Sequence, residues 1–225
     1  LPDETVDNHA MTVDNSDRAR ALRLTPVSRE TEERLSLLVA ELARWQAAKN
    51  LVSGTTLGDV WMRHVADSLQ LFRLAPDART WLDLGSGGGF PGLVIGICLA
   101  EVEGGRIHLV ESNSRKCAFL RHAARLTGAP ATVHPARIED VIGDFTGRVD
   151  VATARALAPL PQLLDWCKEL LRTGTLGLFP KGQHLDAELT ESSRYWKIQA
   201  STVSSVTDGA ARILMVRAAE KRADP

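Results

Sequence analysis

Between Asp83 and Gly92 the chain reads DLGSGGGFPG, an acid followed by five glycines within nine residues. A glycine has no Cβ, so a run of them lets backbone N–H groups come close to a ligand. The run follows TWLDL, a strand-like segment, and in an open α/β sheet ligands sit beyond the carboxyl ends of the strands. A dinucleotide fingerprint starting at Gly85 would need a third glycine at position 90, where this chain has Phe90. A second acid, Glu111, closes the next strand-like run, RIHLVE. A carboxylate there can accept two hydrogen bonds from a ribose diol, and it repels phosphate-rich ligands. The segment ARIED, with Arg137, Ile138 and Glu139, follows the third such run, where an apolar side chain covers an adenine ring and a polar neighbour reads its edge. Two plainer readings compete with these: a glycine turn that holds nothing, and a strand-end acid that only caps a helix.

Other chemistries find less material. Cys98, Cys117 and Cys167 are odd in number and lack CxxC or CxxH spacing, so they read as buried thiols in a reducing, cytoplasmic setting rather than as metal ligands. The net charge of −1 makes the whole molecule no magnet for a polyanion, so a nucleic-acid partner would need a local basic patch. Arg63, His64, Arg137, Arg155 and Lys181 are candidates, with Arg115, Lys116, Arg121 and Arg125 as a further cluster. A basic helix face is also a common form of plain solvated surface. No apolar run approaches the ~20 residues that span a bilayer.

Apolar spacing sketches the elements that must carry these residues. Residues 1–17 contain acids but no lysine or arginine, and read as a mobile leader. Ser28 is placed to cap a helix with an acidic first turn (Glu30, Glu32, Glu33), and Leu35, Leu38, Leu42 and Trp45 give that helix one apolar face to near Asn50. VWMRHVADSLQLF predicts a further helix before Pro76, so residues 18–76 form a helical extension. From residue 77 to 225, TWLDL, RIHLVE, ATVHP, VDVATA and TLGLFP alternate with helical patterns, which predicts a mostly parallel sheet covered on both faces. YWKIQASTVSSV and ARILMVRAAE, separated by a turn at Thr207-Asp208-Gly209, predict a terminal antiparallel hairpin.

The D-L-G-S-G-G-G run resembles the first motif of class I S-adenosylmethionine-dependent methyltransferases. With Phe-Pro-Gly appended, and with RHVADSL (Arg63, His64, Asp67, Ser68), ARWQAAKNLVS, LVESNSRKCAFL, ARIED, TARAL and PKGQ in order, the chain resembles the ribosomal small-subunit methyltransferase G family, also called glucose-inhibited division protein B. The resemblance covers about residues 30–220. It departs at Gln46, where the family often has asparagine, at Val52, and at Ala154, where Ser-Arg-Ala is common. The family implies a Rossmann-like seven-stranded α/β fold and methyl transfer from S-adenosylmethionine to N7 of a guanine in the 530 loop of 16S rRNA. It implies cofactor contacts from Gly85, Ser86, Gly87, Gly89, Phe90, Glu111, Ser112, Ile138, Glu139 and Arg155. Of these, Gly85 and Phe90 border the methionine end. It places Arg155 beside the cofactor; Asp67 is a candidate to offset the charge that builds near N7, and Arg63, His64, Arg137 and Lys181 are candidates for phosphate contacts. The expected partner is 16S rRNA in the 30S subunit or an assembly intermediate, met by a monomer with no metal and no membrane attachment. Competing readings are a methyltransferase of the same fold acting on a small molecule, a nicotinamide-dependent oxidoreductase, and an assembly factor that catalyses nothing.

Overall fold

The computed structural model describes residues 15–49 and 58–222. The first fourteen residues of the expected leader, and Asn50 and Val52 of the family motif, lie outside them. Helix α1 (Asn15–Leu24) already includes Asp17, which is buried because its Oδ2 accepts the amides of Trp61 and Met62 at 2.9 and 3.4 Å. The last residues of the expected leader therefore belong to the fold. Helix α2 (Arg29–Lys49) starts as its sequence predicts: Ser28 Oγ accepts the Thr31 amide at 3.0 Å.

The stretch expected as one regular helix is not regular. Trp61–Ala66 winds as a π-helix and continues directly into α3 (Asp67–Arg73). Nearly every side chain of this stretch is buried, so apolar spacing alone does not distinguish the two windings. Such insertions cluster at functional sites.

The sheet follows. In chain order come β1 (Thr80–Leu84), α4 (Gly92–Leu99), β2 (Arg106–Val110), α5 (Ser114–Thr127), β3 (Ala131–His134), α6 (Ile138–Val141), β4 (Val151–Thr153), α7 (Leu160–Arg172), β5 (Leu176–Lys181), α8 (Leu185–Ser192), β6 (Trp196–Ser204) and β7 (Arg212–Lys221). The stretch IEDVIGDF forms α6 followed by a 3₁₀ turn, Ile142–Phe145. Strand order is β3-β2-β1-β4-β5-β7-β6, parallel except for β7, which runs antiparallel to both neighbours. The seven-stranded sheet with its terminal hairpin is the expected α/β class. Between β1 and β4 the chain order reverses, and a crevice at such a point is where this architecture binds ligands.

β1 alternates across the sheet. Trp81 enters a core shared with Leu93, Ile95, Phe119 and the front-end residues Leu35, Leu38, Leu42 and Trp61. Leu82 and Leu84 enter the opposite core with Leu160, Leu164, Phe179 and Leu214. The helical extension thus covers one face of the sheet beside α4 and α5. Glu41 fastens it there, accepting Trp45 Nε1 at 2.8 Å and lying 3.0 Å from His122 Nε2. Cys98, Cys117 and Cys167 are buried free thiols, as their spacing predicts.

Candidate active site

The loop after β1 is built on backbone conformations that favour glycine. Gly85, Gly87 and Gly89 have φ of 68°, 53° and 91°. The Ser86 amide donates to Val110 O at 3.0 Å, and its hydroxyl to Asp83 O at 3.1 Å. A Cβ on Gly85 would lie 2.5 Å from Leu157 Cδ1, the mobile end of a side chain, so the positive φ rather than space is what calls for glycine there. Glu111, just past β2, is buried and ties the loop to the next strand. Its Oε2 accepts the Gly87 amide at 2.9 Å and its Oε1 the Asn113 amide at 2.7 Å. A carboxylate has about four acceptor positions, so two remain for a diol. Asn113 then caps α5 through Oδ1. Ile138 is buried at the start of α6, while Ser112, Arg137 and Glu139 are exposed at the same end of the sheet.

Beneath the loop lies a residue that the sequence marked without assigning. Asp83 is buried and neither carboxylate oxygen has a hydrogen-bond partner. Burial pushes its carboxyl up to about 7; the Ser86 hydroxyl, Arg155 and the Gly92 amide lie near enough to pull the other way, without bonding it. An unpartnered acid under a glycine cradle, with a diol-ready carboxylate beside it, fits a ligand with a cationic group and a ribose. The residues present therefore suit S-adenosylmethionine.

Across the crevice Arg155 leaves the end of β4 and ties three elements together. Its Nη1 donates to Arg63 O at 3.0 Å and to Asp67 Oδ2 at 3.4 Å, and its Nη2 lies 2.8 Å from His64 Nδ1. Its guanidinium also lies 5.7 Å from the centre of the Phe90 ring, and His64 stacks on that ring at 4.9 Å. Guanidinium offers only donors, so His64 Nδ1 accepts and the ring proton sits on Nε2. Burial, then the charges of Arg155 and Arg63, hold His64 down to about 3, which keeps it neutral near neutral pH. Asp67 Oδ1 accepts Gln70 Nε2 at 2.8 Å and the Thr207 hydroxyl at 3.1 Å, fixing the hairpin turn to α3. Next to Arg155, Ala156 has φ of 50°, rare for a residue with a side chain.

A cleft of about 1640 Å³ joins the glycine loop to this cluster. The family model for rRNA small subunit methyltransferase G matches residues 31–215. The chain belongs to that family. Ribosomal RNA small subunit methyltransferase G of Methylobacterium radiotolerans is 59% identical over 202 residues, covering 90% of this chain and 95% of that protein. The protein of the same name from Bradyrhizobium sp. is 54% identical over 207 residues, covering 92% and 93%. Among solved structures, an O-methyltransferase from Bacillus cereus in complex with SAH aligns with a TM-score of 0.56 at 16% identity, covering 89% of this chain and 96% of that one. One from Streptomyces achromogenes in complex with SAM gives 0.55 at 14%, covering 91% and 96%. These two resemblances show the methyltransferase fold.

In this member of the methyltransferase G family the expected site residues divide into groups. Arg63, His64, Asp67, Phe90 and Arg155 meet around one guanidinium and line the cleft with Gly85, Ser86 and Gly87. Gly89 shapes the loop but does not line the cleft, and Glu111, Ser112, Arg137, Ile138 and Glu139 lie beyond its lining, at the ends of β2 and β3. Lys181 lines the cleft, but its Nζ is bonded to Glu188 Oε2 at 2.7 Å and Ala158 O at 3.4 Å. Arg20, Arg63 and Lys116 line the cleft with no ion pair to any described carboxylate. Arg20 and Glu188 were not among the expected residues. Arg20 sits in an ordinary basic helix, and Glu188 acquires its role only when α8 packs against α7 and brings it to Leu160 and Lys181.

Proposed function

We propose that this protein transfers a methyl group from S-adenosylmethionine to N7 of a guanine in the 530 loop of 16S rRNA, within the 30S subunit or an assembly intermediate, acting as a cytoplasmic monomer. The observation that carries this reading is the cleft that joins the glycine loop to a rim of cations, Arg20, Arg63 and Lys116, without an ion pair to any described carboxylate. Cations at a cleft edge suit RNA phosphates, which fix the position of a nucleic acid. The names of the related proteins point the same way. Arg137 and Lys181 remain proposed RNA contacts, with Lys181 approached through its pair with Glu188.

When bound, the cofactor supplies an electrophilic methyl on a sulfonium. Gly85, Ser86, Gly87 and Gly89 would cradle it, Glu111 and Ser112 would hold the ribose side, Ile138 and Glu139 the adenine, and Phe90 the methionine end. Guanine N7 carries an unprotonated lone pair, so the chain needs no general base. Positive charge grows on the purine as N7 is alkylated, and the residues at the crevice accommodate this. His64 is neutral, and Arg155 directs its donors to Arg63 O, Asp67 and His64 rather than leaving them free. Catalysis is then chiefly positioning, which can supply about 7–11 kcal/mol.

Purified protein, S-adenosylmethionine and 30S particles lacking the modification test the reading. Borohydride–aniline cleavage, which breaks RNA at N7-methylguanosine, should give one new stop in the 530 loop. A stop elsewhere, or label entering only a metabolite pool, would refute it.

A further inference from the structure

The wall of the cleft holds an ion pair whose bonding is incomplete in a specific way. Glu188 Oε2 is fully used: it accepts Lys181 Nζ at 2.7 Å and the Leu160 amide at 2.8 Å, capping α7. Glu188 Oε1 has no hydrogen-bond partner among the described residues, yet Glu188 lines the cleft. Lys181 Nζ carries three donors, of which Glu188 and Ala158 O take two. One acceptor and one donor are therefore left side by side. Around them the cleft wall is apolar: Leu157, Pro159, Leu163 and Pro180. An ion pair serving only to cap a helix would not need to face a cleft with both groups unsaturated.

A purine that must present N7 to the glycine loop has its opposite edge free for recognition. On guanine that edge carries N1–H and N2–H₂ donors beside the O6 acceptor, whereas adenine offers an N1 lone pair there. We propose that Glu188 and Lys181 form the base-reading subsite: Glu188 Oε1 accepts from both N1–H and N2–H of guanine, and Lys181 Nζ donates to O6. The Leu157–Pro159–Leu163–Pro180 wall packs on the ring. This rests on the guanine-N7 reading above. It makes Glu188 a specificity determinant, because an adenine would set its lone pair against a carboxylate oxygen.

Inosine lacks the N2 amine and is otherwise guanosine-like, so 30S particles carrying inosine at the target position test the contact. Loss of one hydrogen bond to a carboxylate should slow methylation by the unaltered protein about tenfold to about a hundredfold relative to guanosine. In E188Q the neutral amide oxygen must still serve Lys181 and Leu160, so the two substrates should become equivalent. S-adenosylhomocysteine affinity by calorimetry should stay as in the unaltered protein. If E188Q does not fold, E188D, which keeps the charge but withdraws it by one methylene, gives the same comparison. Equal rates on both bases in the unaltered protein, or an unchanged preference in the variant, would overturn the subsite and leave the function standing. Failure of the unaltered protein to modify guanosine at all would overturn both.

Discussion

Asp83 and His64 impose opposite pH dependences on folding, and each can be exposed by removing the other. Burial raises Asp83 from 3.8 to about 7. Between those values the folded state holds a proton that the unfolded state has lost, so stability is full below the unfolded value and falls as pH rises. His64 is lowered from 6.5 to about 3. There the unfolded state holds the extra proton, so stability is full above the unfolded value and falls as pH drops. Each slope is about 1.4 kcal/mol per pH unit, and from about pH 4 to about 6.5 the two cancel. D83N should therefore lose about 3 kcal/mol relative to the unaltered protein as pH falls across that window, and H64Q should gain about as much. The double variant should again parallel the unaltered protein. His108, His134 and Asp17 are also shifted, but they are common to all four proteins and drop out of the differences. Urea unfolding of the ligand-free proteins at several pH values measures this. Single-variant curves that run parallel to the unaltered protein would show that these two groups are not held in the protonation states their burial dictates.

Two other outcomes follow from the cleft. G85V should abolish S-adenosylhomocysteine binding by calorimetry, because a β-branched residue would have to hold a backbone at φ 68°; G87A, also at positive φ (53°) but with no side-chain branch and a Cβ 3.7 Å from Gly85 O, should lose less affinity, and equal affinities would refute the cradle. R20A, R63A and K116A should each reduce the salt slope of RNA association by about 0.7–0.9, while an unchanged slope would remove that residue from the phosphate track.

The sheet was legible because its evidence is local. Each strand is a short apolar run between turn residues, and a continuously buried strand such as β1 needs neighbours on both faces. The glycine loop was legible for the same reason, since positive φ and close approach leave their mark on single residues. The π-helical winding at Trp61–Ala66 was not, because all its side chains but Arg63 are buried and one exposed residue is too little to fix a period. Nor was the buried fate of Asp17, whose partners are the amides of Trp61 and Met62, far along the chain. The sequence placed Arg155 at a strand end but did not supply its partners, which lie about ninety residues away in the chain.

The contacts of Arg155 bear on why this strand-end arginine sits where an N7 methyl transfer would not want a bare cation. A guanidinium aimed at the purine would oppose the charge that builds there. Here it is directed toward protein acceptors: a carbonyl, a carboxylate and a neutral imidazole. Those acceptors all belong to the π-helix and α3, while the arginine follows β4 and the stacked Phe90 belongs to the glycine loop. The charge is thus balanced locally and used to fix three chain segments against one another. Through Asp67 and Thr207 the hairpin turn joins the same network. Positioning catalysis needs walls that do not move, and a guanidinium with several fixed acceptors supplies that rigidity without leaving an unbalanced charge at the reacting edge of the base.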